Sequence, residues 1–144
     1  MLDAERSREI LTRLPHAGSA RLPQRVTHFE PGVRVIAEHT LAAGDPSLND
    51  AGAFPAFLLV ELMAQTGGLL IERKELDSTD YGVLAAIQRM HLHATAWLGE
   101  TVQVECSLAR RMGDLYRIDC RSRVGEREIA HGSLHLRLMP GPGL

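Results

Sequence analysis

Apolar and polar positions change their period along the chain, from a helical spacing near the N-terminus to strict alternation in the second half. Behind Asp3, a residue able to cap a helix, Ile10, Leu11 and Leu14 form an apolar stripe, and Pro15 stops the run; a short helix over 3–14 is predicted. Residues 21–27 form a candidate strand, and Pro31-Gly32 marks a turn. Over 33–41, Val33, Val35, Ala37, His39 and Leu41 alternate with Arg34, Ile36, Glu38 and Thr40, which predicts a strand. The stretch 44–53 is rich in Asp, Asn, Pro, Ser and Gly and reads as loop. Pro55 suits the first residue of a helix over 56–74, where 11 of the first 16 residues are apolar. A helix apolar nearly all round is buried on most sides, and this one should run for roughly 28 Å.

A turn over 77–82 leads into a second half that alternates throughout. Strands are predicted over 83–92, 101–109, 115–124 and 127–138, separated by turns at Gly99-Glu100, Gly113-Asp114 and Gly125-Glu126. A hairpin centred on Gly113 sets Cys106 opposite Cys120, Leu108 opposite Ile118 and Val102 opposite Val124, all on one face. In a reducing cell the facing cysteines read as two small buried apolar residues. Strands, one long buried helix, then four strands in antiparallel hairpins make an α+β architecture: a curved antiparallel sheet wrapped around the helix over one domain, 1–144, with a mobile tail at 139–144. One helix covers one face of such a sheet and leaves edge strands open, so a homodimer or larger assembly through sheet edges is expected.

Composition narrows the function. Net charge is −2, and the 16 basic residues are all Arg except Lys74. No global positive field recruits nucleic acid, and six aromatics offer no stacking array for it. Two Cys define no disulfide scaffold, and the charged first 25 residues carry no secretory signal, so a cytoplasmic setting is expected. Gly52 to Ile71 holds one charge, Glu61, over twenty residues, but Pro55, Gln65, Thr66 and Gly67-Gly68 argue for a buried helix over a membrane span. No cofactor is expected. For a metal, His91 and His93 share a strand face, as do His131 and His135, but no Cys or acidic residue evidently completes a set; none is expected.

Glu61 is the most informative residue. It lies mid-way along the most apolar segment, where a lone carboxylate must be paired, protonated or facing a cavity. Gln65, four residues on, shares its face, and Gly68 lies near it. A desolvated carboxyl there would have a raised pKa suited to proton transfer near neutral pH. The alternative role is a structural hydrogen bond.

Pro55-Ala-Phe-Leu-Leu-Val-Glu61-Leu-Met-Ala-Gln65 resembles the central-helix motif of the hotdog-fold 3-hydroxyacyl-acyl-carrier-protein dehydratases. Ile10-Leu-Thr-Arg-Leu-Pro-His16 is similar to that family's N-terminal signature, and His91-Leu-His93 through Gly99-Glu100 and Ala130-His-Gly-Ser-Leu134 resemble its later strands. Leu48-Asn49, Gly52-Ala-Phe-Pro55 and Glu61-Leu-Met-Ala-Gln-Thr66 resemble in particular the dehydratase-like proteins of aryl-polyene pigment clusters. The resemblance implies a hotdog fold, loss of water from a 3-hydroxyacyl thioester, and a site shared between two subunits. It gives Glu61, with Gln65 beside it, the acidic role, and the backbone N–H groups of Ala56 and Phe57 that of polarising the thioester carbonyl.

The family's general base is a His in the segment before the helix. Aligned by motif, Ala53 stands there; counted back from Pro55 without gaps, Ser47 does. His39 and His16 are the candidates to replace it. Three functions are therefore carried forward: a dehydratase-like enzyme relying on Glu61; a degenerate subunit that binds acyl carrier protein or pairs as a heterodimer with an active dehydratase; and a thioesterase using Glu61. The expected partners are an acyl carrier protein or a coenzyme A thioester. The outward Arg110, Arg111, Arg117, Arg121, Arg123, Arg127 and Arg137 could receive the acidic carrier, and Phe57, Leu58 and Met63 are expected to line an acyl tunnel.

Overall fold

The computed structural model describes residues 1–71 and 80–141. Helix α1 (Ala4–Leu11) opens the chain, with the Asp3 side chain accepting from the Arg6 N–H at 2.8 Å as its cap. Strands β1 (Arg25–Glu30) and β2 (Arg34–Thr40) follow, then helix α2 (Ala56–Gly68) and strands β3 (Tyr81–Leu92), β4 (Thr101–Met112), β5 (Leu115–Val124) and β6 (Arg127–Met139). The six strands form one antiparallel sheet in the order β1-β2-β4-β5-β6-β3. Helix α2 packs against β2 through β6, on the face that carries Val35, Ala37, Val102, Val104, Cys106, Ile118, Leu134 and Leu136.

The Gly113 hairpin has the expected register, with Val102, Cys106 and Leu108 opposite Val124, Cys120 and Ile118. Both cysteines are buried thiols, Sγ to Sγ 3.3 Å apart. Burial pushes the Cys106 thiol well above its ordinary pKa, and neighbouring Cys120 pushes it further.

The start of β1 and both ends of α2 differ from expectation. The first strand begins at Arg25 rather than 21, because Pro23 has no N–H to give a ladder and the N–H of Leu22 goes instead to the Gln65 side chain. Pro55 caps α2 in an extended conformation rather than forming its first turn. The helix ends at Gly68 after about 20 Å, its exit tightening through bonds from the N–H groups of Leu69, Leu70 and Ile71 to carbonyls three residues back. Gly67 and Gly68 weaken the last turn, and Gly67 permits a close approach: a Cβ there would lie 3.1 Å from Ile118. Residues 72–74 of the expected extension, 77–79 of the expected turn and the last three tail residues fall outside the described residues, while Tyr81 and Gly82 already belong to β3 and Met139 to β6. Among the described residues no helix is long and apolar enough to cross a membrane.

The two sheet edges are unlike. At β1, the Val26 N–H donates to Ser7 Oγ of α1 and the Thr27 carbonyl accepts from the Leu2 N–H. Among the described residues, strand β3 has a hydrogen-bonded neighbour on its β6 side alone, and Tyr81, Val83, Leu84, Ile87 and Leu92 along it are 36–48% exposed.

Candidate active site

Helix α2 presents Leu59, Leu62 and Met63 to the core, and Phe57, Glu61, Ala64 and Gly68 on a face that its own chain leaves partly open. The Glu61 side chain is 44% exposed. The deep burial expected from the apolar sequence around it is thus not supplied by this chain. The apolar run covers the helix nearly all round, but the strands cover it on one side. Glu61 stands instead at a cavity of about 270 Å³, walled by Arg13 to His16 after α1, by Ala64, Gln65, Gly68 and Ile71, by Asp80 to Leu84 at the start of β3, and by Leu136.

Among the described residues two groups reach its Oε1. Gln65 Nε2 donates at 3.0 Å, and His16 Nε2 stands at 3.7 Å, outside hydrogen-bond reach but close enough for an ion pair. Gln65 itself is 4% exposed; its Oε1 accepts from the Leu22 N–H at 2.8 Å and its Nε2 also donates to the Ala20 carbonyl at 2.9 Å. It fixes both the chain before β1 and the carboxyl of Glu61.

His16 reaches the site because buried Leu14 follows α1 and packs beside Gly68, after which Pro15 turns the chain toward α2. Arg21 Nε, donating to the His16 carbonyl at 3.0 Å, fixes the segment. Its ring Nδ1 is buried with no hydrogen-bond partner among the described residues. The sequence offered His16 and His39 on equal terms, and only His16 lies beside Glu61.

His39 is 4% exposed, stacked on Phe54, and both ring nitrogens are engaged: Nδ1 by the Leu22 carbonyl, Nε2 by Asp45 Oδ2 at 2.8 Å. Burial raises the Asp45 carboxyl, but bonds from the Ser47 hydroxyl and N–H, together with His39, outweigh it and hold it below the ordinary carboxylate value. Ser47 is committed to that turn, its Oγ 2.6 Å from Asp45 Oδ1. Ala53 is 7% exposed and bridges to Trp97, its N–H on Asn49 Oδ1 at 3.0 Å. Neither expected base position therefore holds an imidazole. Ala56 and Phe57 start α2, where N–H groups have no acceptor within the helix, and Phe57 is 71% exposed. Of the expected tunnel residues, Met63 is 0% exposed in the core, and the cavity beside Glu61 is lined by others.

On another part of the sheet the fold adds what the sequence lacked for His93 and His131: Glu128 converges on both.

The chain is 25% identical over 137 residues to the 3-hydroxyacyl-acyl-carrier-protein dehydratase FabZ of Clostridioides difficile, covering 91% of this chain and 95% of that one. Among solved structures it resembles the dehydratase heterocomplex ApeI:P from Xenorhabdus doucetiae, with TM-score 0.79, 21% identity and coverage of 93% and 91%. It also resembles a hypothetical thioesterase with coenzyme A from Streptococcus pneumoniae TIGR4, with TM-score 0.65, 14% identity and coverage of 83% and 88%. The likeness to these structures is one of fold, the hotdog. With the profile of that group, described as ApeP dehydratase, matching residues 8–139, the chain belongs to the ApeP-like family.

Proposed function

We propose that this chain contributes the carboxyl half of a 3-hydroxyacyl thioester dehydratase site, and that a second hotdog chain docked on the open face of α2 contributes the imidazole. The observation that carries this reading is Glu61, oriented by Gln65 on a cavity wall yet 44% exposed, while Ala53 and Ser47 hold no base. A proton-transferring carboxyl works best away from bulk water, so a partner over this face completes the environment as well as the residue set. The partnership in the ApeI:P heterocomplex supports such an arrangement.

In this scheme the partner's imidazole takes the proton next to the thioester carbonyl, and the electron pair moves onto the carbonyl oxygen. N–H groups of Ala56 and Phe57 at the α2 N-terminus stabilise that oxygen. The pair then returns to form the carbon–carbon double bond as the hydroxyl leaves. Protonated Glu61 gives its proton to that hydroxyl, and water departs. The imidazolium returns its proton to Glu61. The acyl chain is carried as a thioester of acyl carrier protein or coenzyme A.

A second reading rests on one distance. His16 Nε2, 3.7 Å from Glu61 Oε1, could serve as the base within the same chain. The experiment that separates the two is enoyl formation from a 3-hydroxyacyl carrier-protein thioester. It is run with the purified chain alone and then mixed with a hotdog dehydratase that carries the imidazole. Turnover only in the mixture, falling by about a hundredfold or more with Glu61→Gln here, is the expected result. Turnover by the chain alone that is lost in His16→Asn selects the second reading. Release of free thiol without enoyl product would assign a thioesterase instead.

A further inference from the structure

The β3–β6 edge holds a cluster that the acyl chemistry does not use. His93 Nε2, His131 Nδ1 and Glu128 Oε2 face one another at 3.0 Å (His93 to His131), 3.3 Å (His93 to Glu128) and 3.1 Å (His131 to Glu128). We propose that these three atoms bind a divalent transition-metal cation of the zinc class, with solvent completing the coordination. Zinc held at its usual distance of about 2.0–2.1 Å from nitrogen or oxygen in tetrahedral geometry sets its ligands about 3.3 Å apart. The three separations here are already near that value, so a cation placed just above the plane of the three atoms reaches all of them with little movement. Two imidazoles and one carboxylate form a donor set suited to zinc, nickel or copper rather than to magnesium or calcium.

The backbone builds this triangle. His91 lies directly opposite His131 in the β3–β6 pairing, and the His93 N–H, just past the end of β3, bonds the Ile129 carbonyl at 2.8 Å. Glu128 and His131 are three residues apart, and in a regular strand they would point to opposite faces. The β5–β6 register shifts beside Ser122 and Arg123, so Ile129 and Ala130 are both buried and Glu128 returns to the face of His131. Beyond the triangle, Arg121 Nε donates to the other carboxylate oxygen, Oε1, at 2.7 Å, and the His91 ring stacks 4.9 Å from His131. Such outer contacts orient ligands. The cation would join the end of β3 to β6, beside the edge that α2 and the helix α1 leave uncovered.

The test is independent of the acyl-thioester reading, because it measures metal and not turnover. The purified chain, stripped with chelator, is titrated with zinc by calorimetry near neutral pH, and with cobalt while visible absorption is recorded. One ion per chain is expected, with intense ligand-field bands from cobalt in a low-coordinate site. Each of His93→Ala, His131→Ala and Glu128→Gln should weaken binding by about tenfold or more, and His28→Ala on β1 should leave it unchanged. The ligands are 32–42% exposed, so these variants should fold, which circular dichroism checks. Absence of binding to the folded wild type, or equal affinity in a His93→Ala/His131→Ala double variant, overturns the proposal.

Discussion

Gln65 shows how much one side chain can hold. Its amide meets the Leu22 N–H, the Ala20 carbonyl and Glu61 Oε1 at once, in a position 4% exposed. Replacing it with Leu leaves a buried backbone donor and acceptor unpaired, and each such orphan is costly. Gln65→Leu is therefore expected to lose about 2–4 kcal/mol of unfolding free energy, read as a lower urea midpoint at unchanged slope. The spacing of Glu61 and Gln65 was legible, since residues four apart share a helix face. The openness of Glu61 was not, because an apolar run does not say which of its sides the strands will cover. Nor did the sequence separate His16 from His39. That choice depends on a chain path, set by Leu14 packing beside Gly68, that no local pattern encodes.

At the scale of elements, alternation was a sound guide wherever the ladder was regular. The β4–β5 hairpin keeps one register from Val102 through Leu108, and a period of two reads it directly. Alternation failed where a strand gains a residue. Between Gln88 and His91, β3 advances three positions while β6 advances two, and Arg89 there adopts φ +50. That bulge and the one beside Arg123 rephase the faces, which is why the gathering of His93, Glu128 and His131 stayed hidden. The β3 bulge also presses Met90 against Gly132, where an added Cβ would meet the Met90 Cα at 2.8 Å, a backbone atom with little room to yield. Gly132→Ala is expected to cost about 1–3 kcal/mol in the same urea assay, and a neutral result would show that β3 can shift outward at that point.

For the whole molecule, the uneven treatment of the two sheet edges matters most. Contacts from α1 and Leu2 occupy β1, whereas among the described residues β3 keeps one edge open beside a row of half-exposed apolar side chains. Phe57, at 71% exposed, adds to the apolar surface, and Glu61 lies on the same open side of α2. An edge of this length and polarity is a template for another strand, and a chain that left it bare would risk aggregation. Pairing β3 with a second hotdog chain would extend the sheet, cover Phe57 and bring a partner surface over Glu61. One interface would then serve both association and catalysis. Ile87, 48% exposed in the middle of β3, is the place to break it: Ile87→Lys sets a charge in the proposed interface and removes nothing from the core. Light scattering should register the wild type as a dimer or larger assembly, alone or with its partner, and the variant as a folded monomer. Enoyl formation in the mixed assay should fall with the loss of assembly even though Glu61, Gln65 and His16 are untouched. An Ile87→Lys protein that stays assembled and active would move the interface away from β3, and the partner's imidazole would then have to approach Glu61 by another route.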